Sequence, residues 1–123
     1  MDLQTALWTL SIQLSQIKNQ VDILTQQQII EDKHVGFAEM PLALQKVALC
    51  ESSGKQHYNN KIVKGLAGEV GIMQIHPVHF LRAKKMGYDL YSATGNMAYA
   101  VWLYQQEGLR PWTCATILKL TMK

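Results

Sequence analysis

Acidic side chains are scarce in this chain: nine Asp and Glu among 123 residues. Proline occurs three times, and cysteine and phenylalanine twice each. Two cysteines exclude a disulfide-dense scaffold and a four-cysteine zinc site. Three prolines and eight glycines exclude collagen-like or low-complexity sequence. No apolar run reaches about 18 residues, which excludes a membrane-spanning helix. The start, Met1-Asp2-Leu3-Gln4, lacks the basic region and the small-residue cleavage site of an intact secretory signal. No repeat of about 20–50 residues is present. What remains is 48% hydrophobic and 17% charged, a composition that folds rather than stays disordered.

The few acids are unevenly placed. Residues 1–35 hold four acids against two lysines, net −2, and residues 36–123 hold five acids against ten Lys and Arg, net +5. The second segment therefore favours a polyanionic partner, nucleic acid or cell wall, with a plain solvated surface as the alternative. No RRM, helix-turn-helix or zinc pattern supports nucleic acid.

The two segments also differ in pattern. Leu3, Leu7, Leu10, Leu14, Ile17, Val21 and Leu24 fall at spacings of 4-3-4-3-4-3, with Gln28 in the next slot. That is a heptad seam over about three turns of the repeat. It predicts a long helix over 1–30 that either oligomerises or docks a partner through residues 3–28, or packs on its own domain. Trp8, Ile12 and Ile23 lie off the seam and widen the apolar face. Residues 31–40 lose the period and read as a linker, giving two parts, 1–35 and 36–123. In the second, Pro41 sits at the first position of a helix that runs to Glu51 and stops at Ser52-Ser53-Gly54. Residues 55–76 read as a long loop with a short irregular hairpin, Ile62-Val63 and Val70 to Ile75 supplying the β-formers. Pro77 opens a helix ended by Gly87. Another runs from about Thr94 to Glu107, ended by Gly108, and Thr113 can cap a last short helix. The fold class is mainly α with a small irregular β-hairpin, preceded by the heptad helix.

Five acids in the second segment make the search for a catalytic group short. Glu39 precedes the helix at Pro41 and suits its dipole. Asp89 reads as a turn or cap residue, and Glu107 as solvent-facing. Glu51 differs. It follows Leu44, Val47 and Ala48 on one helical stripe, so its carboxyl points to the core or a cleft wall. It also stands at the negative end of the helix dipole. Both effects raise a carboxyl pKa, as general-acid catalysis needs. The alternative is a Glu that snorkels out at the helix end. Glu69, between Gly68 and Gly71, is the other carboxylate near a cleft, or an exposed turn residue. Two-carboxylate glycoside hydrolysis needs a pair at a defined separation, and this shortage favours one essential carboxyl.

Three segments carry a resemblance: Cys50-Glu51-Ser52-Ser53-Gly54, then Gly71-Ile72-Met73-Gln74-Ile75-His76-Pro77, then Gly95-Asn96-Met97-Ala98-Tyr99-Ala100. Their order and spacing resemble the transglycosylase domain of the lysozyme superfamily, which includes soluble lytic transglycosylases and goose-type lysozymes. The match covers about residues 38–116. It implies a lysozyme-like α+β fold, a glycan cleft, and cleavage of the β-1,4 bond between N-acetylmuramic acid and N-acetylglucosamine in peptidoglycan. Glu51 matches the catalytic acid, which then serves as base while the muramic C6 hydroxyl attacks. Ser52, Met73, Gln74, Asn96 and Tyr99 match motif positions that line the cleft, and no cofactor is implied. Where soluble lytic transglycosylases carry Ala-Tyr-Asn-Ala-Gly, this chain has Gly108-Leu109-Arg110-Pro111-Trp112-Thr113-Cys114-Ala115. Pro-Trp followed by Cys, with a Cys before the catalytic Glu, looks like the resuscitation-promoting-factor branch. Plain hydrolysis, with Glu69 positioning water, therefore stands beside the anhydro-forming reaction.

Cys50 and Cys114 can be bridged or be buried free thiols, and the resemblance favours the bridge, hence an extracytoplasmic or virion-associated setting. His76, His79 and His57 lack the spacing of a metal site. Tyr99, Trp102 and Tyr104 serve the core or, for the tyrosines, a sugar; Trp112, in a loop, is the better sugar platform. Asn59 and Asn60 can bond acetamido groups or build a turn. The partner implied is the glycan strand of peptidoglycan. A glycan-binding structural module with a coiled-coil arm is the alternative.

Overall fold

A computed structural model describes residues 2–120, and the side chains of residues 23–32 lie outside that description. Helix α1 spans Leu3–Asp32. Asp2 starts it by accepting the Thr5 N–H at 2.8 Å. From Leu3 to Val21 the six seam residues are 51–77% exposed, and so is Trp8, at 70%. Leu24, Gln28 and Ile23 lie outside the described residues.

The chain divides into two compact units between Asp32 and Lys33. That is three residues earlier than the pattern alone places it. The reason is local: the Val35 N–H donates to the Thr94 carbonyl at 3.1 Å, and the Lys33 ammonium sits 4.0 Å over the Tyr88 ring. The expected linker thus begins the second unit, and Phe37–Glu39 form a 3₁₀ turn. Glu39 caps that turn, its Oε1 accepting the Gly36 N–H at 2.9 Å, and not the helix after Pro41.

Helix α2 spans Leu42–Ser52. Pro41 stands just before it, its carbonyl taking the Leu44 and Gln45 N–H groups. Ser53 ends it with φ 56°. Strands β1 (His57–Tyr58) and β2 (Lys61–Ile62) pair antiparallel, His57 opposite Ile62 and Tyr58 opposite Lys61. Asn59 and Asn60, at φ 52° and 64°, make the two-residue turn between them. Asparagine tolerates that left-handed backbone, so turn-building is the role these two fill. The β-formers from Val70 to Ile75 make no strand. They curl into a tight turn, held by single bridges of Val70 to Lys64 and to Ile75.

Pro77–His79 form a 3₁₀ turn that leads into α3, Phe80–Met86, closed by Gly87. Helix α4 spans Ala93–Glu107, with the Ser92 hydroxyl accepting the Gly95 N–H at 3.0 Å. Residues 95–100 of α4 are all buried, which marks it as the central helix of the unit. Leu44, Val47 and Ala48 of α2 pack in the same core with Met73 and Ile75 of the turn. Helix α5 spans Thr113–Ile117. Trp112, not Thr113, occupies its cap position, and no side chain caps it there.

Candidate active site

Glu51 lies in the last turn of α2, on the wall of a cleft of about 480 Å³. The cleft is lined by Cys50, Glu51, Ser52 and Ser53, by Lys55 and Tyr58, and by Lys61, Ile62, Val63 and Lys64. Glu51 is the one carboxylic acid among them. A larger hollow along α1, about 730 Å³, is lined by Gln4, Thr5, Leu7, Trp8 and Ser11. It holds no titratable side chain, so size does not locate the chemistry.

The Glu51 carboxyl is half-buried, and desolvation raises its pKa above the ordinary 4.5. The negative charge of Glu69 adds to that rise, while the Cys114 N–H, 3.3 Å from Oε1, works against it. Burial is thus the leading cause, as the stripe position on α2 implies. The Cys114 N–H belongs to the first turn of α5, where backbone donors lack helical partners. The Cys50–Cys114 disulfide brings that turn to α2. The residue before Glu51 is therefore covalently tied to the residue that hydrogen-bonds its carboxyl. In the chain-entropy picture, closing this 64-residue separation contributes roughly 4 kcal/mol.

Glu69 is half-buried and does not line the cleft. Its Oε1 accepts the Ala67 N–H at 2.8 Å, a turn-building bond. Gly65 lies so close to it that a Cβ there would meet Glu69 Oε2 at 2.9 Å and Gln74 Oε1 at 2.7 Å.

The other motif residues hold the 70–75 turn against the helices. The Ser52 hydroxyl lies 2.6 Å from the Ile72 carbonyl and 3.1 Å from the Ala48 carbonyl, and accepts the Lys55 N–H. Asn96 is fully buried. Its Oδ1 accepts the Met73 N–H at 2.9 Å, and its Nδ2 donates to the Val70 and Leu90 carbonyls. Met73 is fully buried as well. Gln74 takes φ 49° and its Nε2 donates to the Gly71 and Val63 carbonyls. Gly71, at φ 78°, has no room for a side chain: a Cβ would fall 2.3 Å from Asn96 Nδ2.

Two expected sugar-facing aromatics are spent on the core. Trp112 is 2% exposed, and its indole N–H donates to the Met73 carbonyl at 2.8 Å. A loop beside Pro111 gave no sign of that buried acceptor. Tyr99 is fully buried; its hydroxyl accepts from Arg82 Nε at 3.0 Å and lies 3.2 Å from His79 Nδ1. Burial raises the Tyr99 pKa and lowers that of His79. Among the described residues no group of three His, Cys, Asp or Glu is placed to hold a metal.

The chain has no match among protein-family models, curated proteins or solved structures.

Sequence reasoning missed Gln56. It is buried, its Oε1 accepting the Ile72 N–H at 2.8 Å and its Nε2 donating to the Leu90 carbonyl at 3.0 Å. Nothing in its neighbourhood of Lys55 and His57 signals burial. Lys55, Tyr58, Lys61 and Lys64 were missed too, because only the β1–β2 fold-back brings them to one cleft. What the arrangement can do is present one acid of raised pKa, with a rigid backbone behind it, to a ligand in an open groove.

Proposed function

We propose that this chain cleaves the glycan strand of peptidoglycan, with Glu51 as general acid and then base, on a lysozyme-like fold. The observation that carries the reading is a half-buried carboxyl of raised pKa on the wall of a cleft. The motif order of Cys50-Glu51-Ser52, Gly71 to Gln74 and Asn96 to Tyr99 supports it.

Protonated Glu51 gives its proton to the glycosidic oxygen between N-acetylmuramic acid and N-acetylglucosamine, and the C1–O bond of the muramic residue breaks. The resulting carboxylate takes a proton from the attacking hydroxyl as the new C1–O bond forms. If that hydroxyl is the muramic C6–OH, the product is a 1,6-anhydro end. If it belongs to water, the product is a reducing end. The scarcity of carboxylates favours the first course, which asks for no second acid. Ser52, Gln56, Met73, Gln74 and Asn96 act through the backbone they fix, and the Cys50–Cys114 bridge fits an oxidising, extracytoplasmic or virion-associated setting.

A second reading concerns α1. Its exposed seam favours an arm that joins copies of the chain or docks an assembly, with the second unit binding glycan.

Glu51→Gln keeps the shape and removes the proton. Release of muropeptides from purified sacculi should fall by about a thousandfold or more. Wild-type release by this variant sinks the enzymatic reading. Mass spectrometry of wild-type products separates the courses, since anhydro ends are lighter than reducing ends by one water.

A further inference from the structure

We propose that the cleft selects glycan strands that still carry anionic peptide stems, with Lys55, Lys61 and Lys64 meeting the stem carboxylates. The proposal rests on the peptidoglycan-cleaving reading above and names the form of the polymer that the same cleft takes.

Of the ten Lys and Arg in residues 36–123, three line the groove that holds Glu51. They reach it from separate places: Lys55 follows α2, Lys61 is in β2, and Lys64 is bridged to Val70. All three are exposed, and the Lys55 ammonium lies 5.2 Å over the Tyr58 ring, along the cleft wall. Among the described residues the one ion pair joins Arg82 and Glu107, at 3.9 Å. Among the described residues the three cationic heads therefore have no acid paired with them.

Nor do they serve Glu51. An ammonium beside that carboxyl would hold it ionised and spoil it as an acid. The groups that move its titration are its own burial, the Cys114 N–H and Glu69, and no lysine is among them. The three lysines thus share the groove with Glu51 without being among the groups that set its titration.

A neutral sugar chain gives these lysines nothing to bind. In peptidoglycan the lactyl group of every second sugar is amide-linked to a peptide that ends in, and carries along it, free carboxylates. A strand lying past Glu51 brings those carboxylates to the groove edge. Wall-attached phosphate polymers share the anionic chemistry, and the test must separate the two sources.

The unmutated protein is assayed on phosphate-polymer-free sacculi and on the same sacculi stripped of peptides by an amidase, with the lactyl carboxylates that the hydrolysis frees then capped as methylamides. The quantity read is the ratio of kcat/KM on the peptide-bearing form to that on the bare form. Three exposed charge pairs acting together give an expected ratio of roughly tenfold at low salt. Raising the salt to about 0.5 M should bring the ratio toward one, because exposed charges are then screened within a few ångströms. The triple variant Lys55→Gln, Lys61→Gln, Lys64→Gln should do the same at low salt. The triple Arg variant, which keeps the charge, should retain the ratio. Equal rates on both forms at low salt overturn the proposal and leave the enzymatic reading standing. So does a ratio that the Gln variant leaves untouched, or a preference that appears only when phosphate polymers are left on the wall. Cleavage of neither form removes the enzymatic reading, and the proposal falls with it.

Discussion

Glu51 is held in a conflict that the fold has to absorb. Its carboxyl loses water by burial, faces the charge of Glu69, and receives one backbone N–H in return. Because the fold raises its pKa above 4.5, the native state holds the proton more tightly than the unfolded chain does. The sign follows from linkage: the stability that protonated Glu51 supports is present below the unfolded pKa and is lost as pH rises through the window up to the folded pKa. Above that window the ionised carboxylate opposes folding. Glu51→Gln should therefore melt above the wild type near pH 7, and the gap should narrow as the pH falls to about 4. Gln can still accept the Cys114 N–H, so the comparison isolates the charge. Thermal unfolding across that range checks it; a gap that widens on acidification would show that burial is not what controls this group. If Glu51 acts as the proposed acid, activity has the same sign. The proton must be present to be given, so kcat/KM falls as pH climbs past the folded pKa.

At the scale of elements, the turn over 70–75 is tied to α2 and α4, and through Ser52 to the helix end that carries Glu51. It has no ladder of its own, and its polar backbone is answered by four side chains from elsewhere in the chain: Ser52, Gln56, Asn96 and Trp112. Asn96→Ala would leave the Met73 N–H without its acceptor in the core, and one donor fewer for the Val70 and Leu90 carbonyls. A loss of about 2–4 kcal/mol is expected in urea unfolding. A change below about 0.5 kcal/mol, the level of an ordinary surface substitution, would mean that water or a shifted turn takes over. This turn is also where the sequence was hardest to read. Val70, Ile72 and Ile75 have strand chemistry, yet Gly71 and Gln74 take positive φ and curl the chain. The helix ends were legible because they are written locally: Ser53-Gly54 after α2, Gly87 after α3 and Gly108 after α4. Glu51 was legible from its place on the stripe of α2. What answers its carboxyl was not, since the Cys114 N–H lies 63 residues away. Trp112 and Tyr99 show the same limit. Their surroundings in sequence do not reveal the Met73 carbonyl or the Arg82 guanidinium that take up their polar atoms.

At the scale of the whole molecule, chemistry and patterning are segregated. The basic unit from Lys33 onward holds the cleft, and α1 holds the heptad seam. A repeat of 3.5 residues does not match a straight helix, whose apolar stripe drifts; it is held in register by another supercoiled helix. The positions flanking the seam, Gln4, Ala6, Ser11, Gln13 and Gln20, are uncharged, with Lys18 as the exception. Paired charges at such positions are what select a foreign helix or reject a like one. Their near absence leaves a second copy of α1 an acceptable partner. Each Leu or Ile buried there contributes about 1.5–3 kcal/mol. Sedimentation equilibrium should therefore give a mass of more than one 13.9 kDa chain at micromolar concentration. Leu10→Asn with Ile17→Asn places two amides in the middle of the seam, and the mass should fall to that of one chain. Far-UV circular dichroism should fall with it, because a single helix of 30 residues without a partner frays. An unmutated chain that sediments as a monomer removes the arm as a self-association device and returns it to the role of a docking helix for another protein.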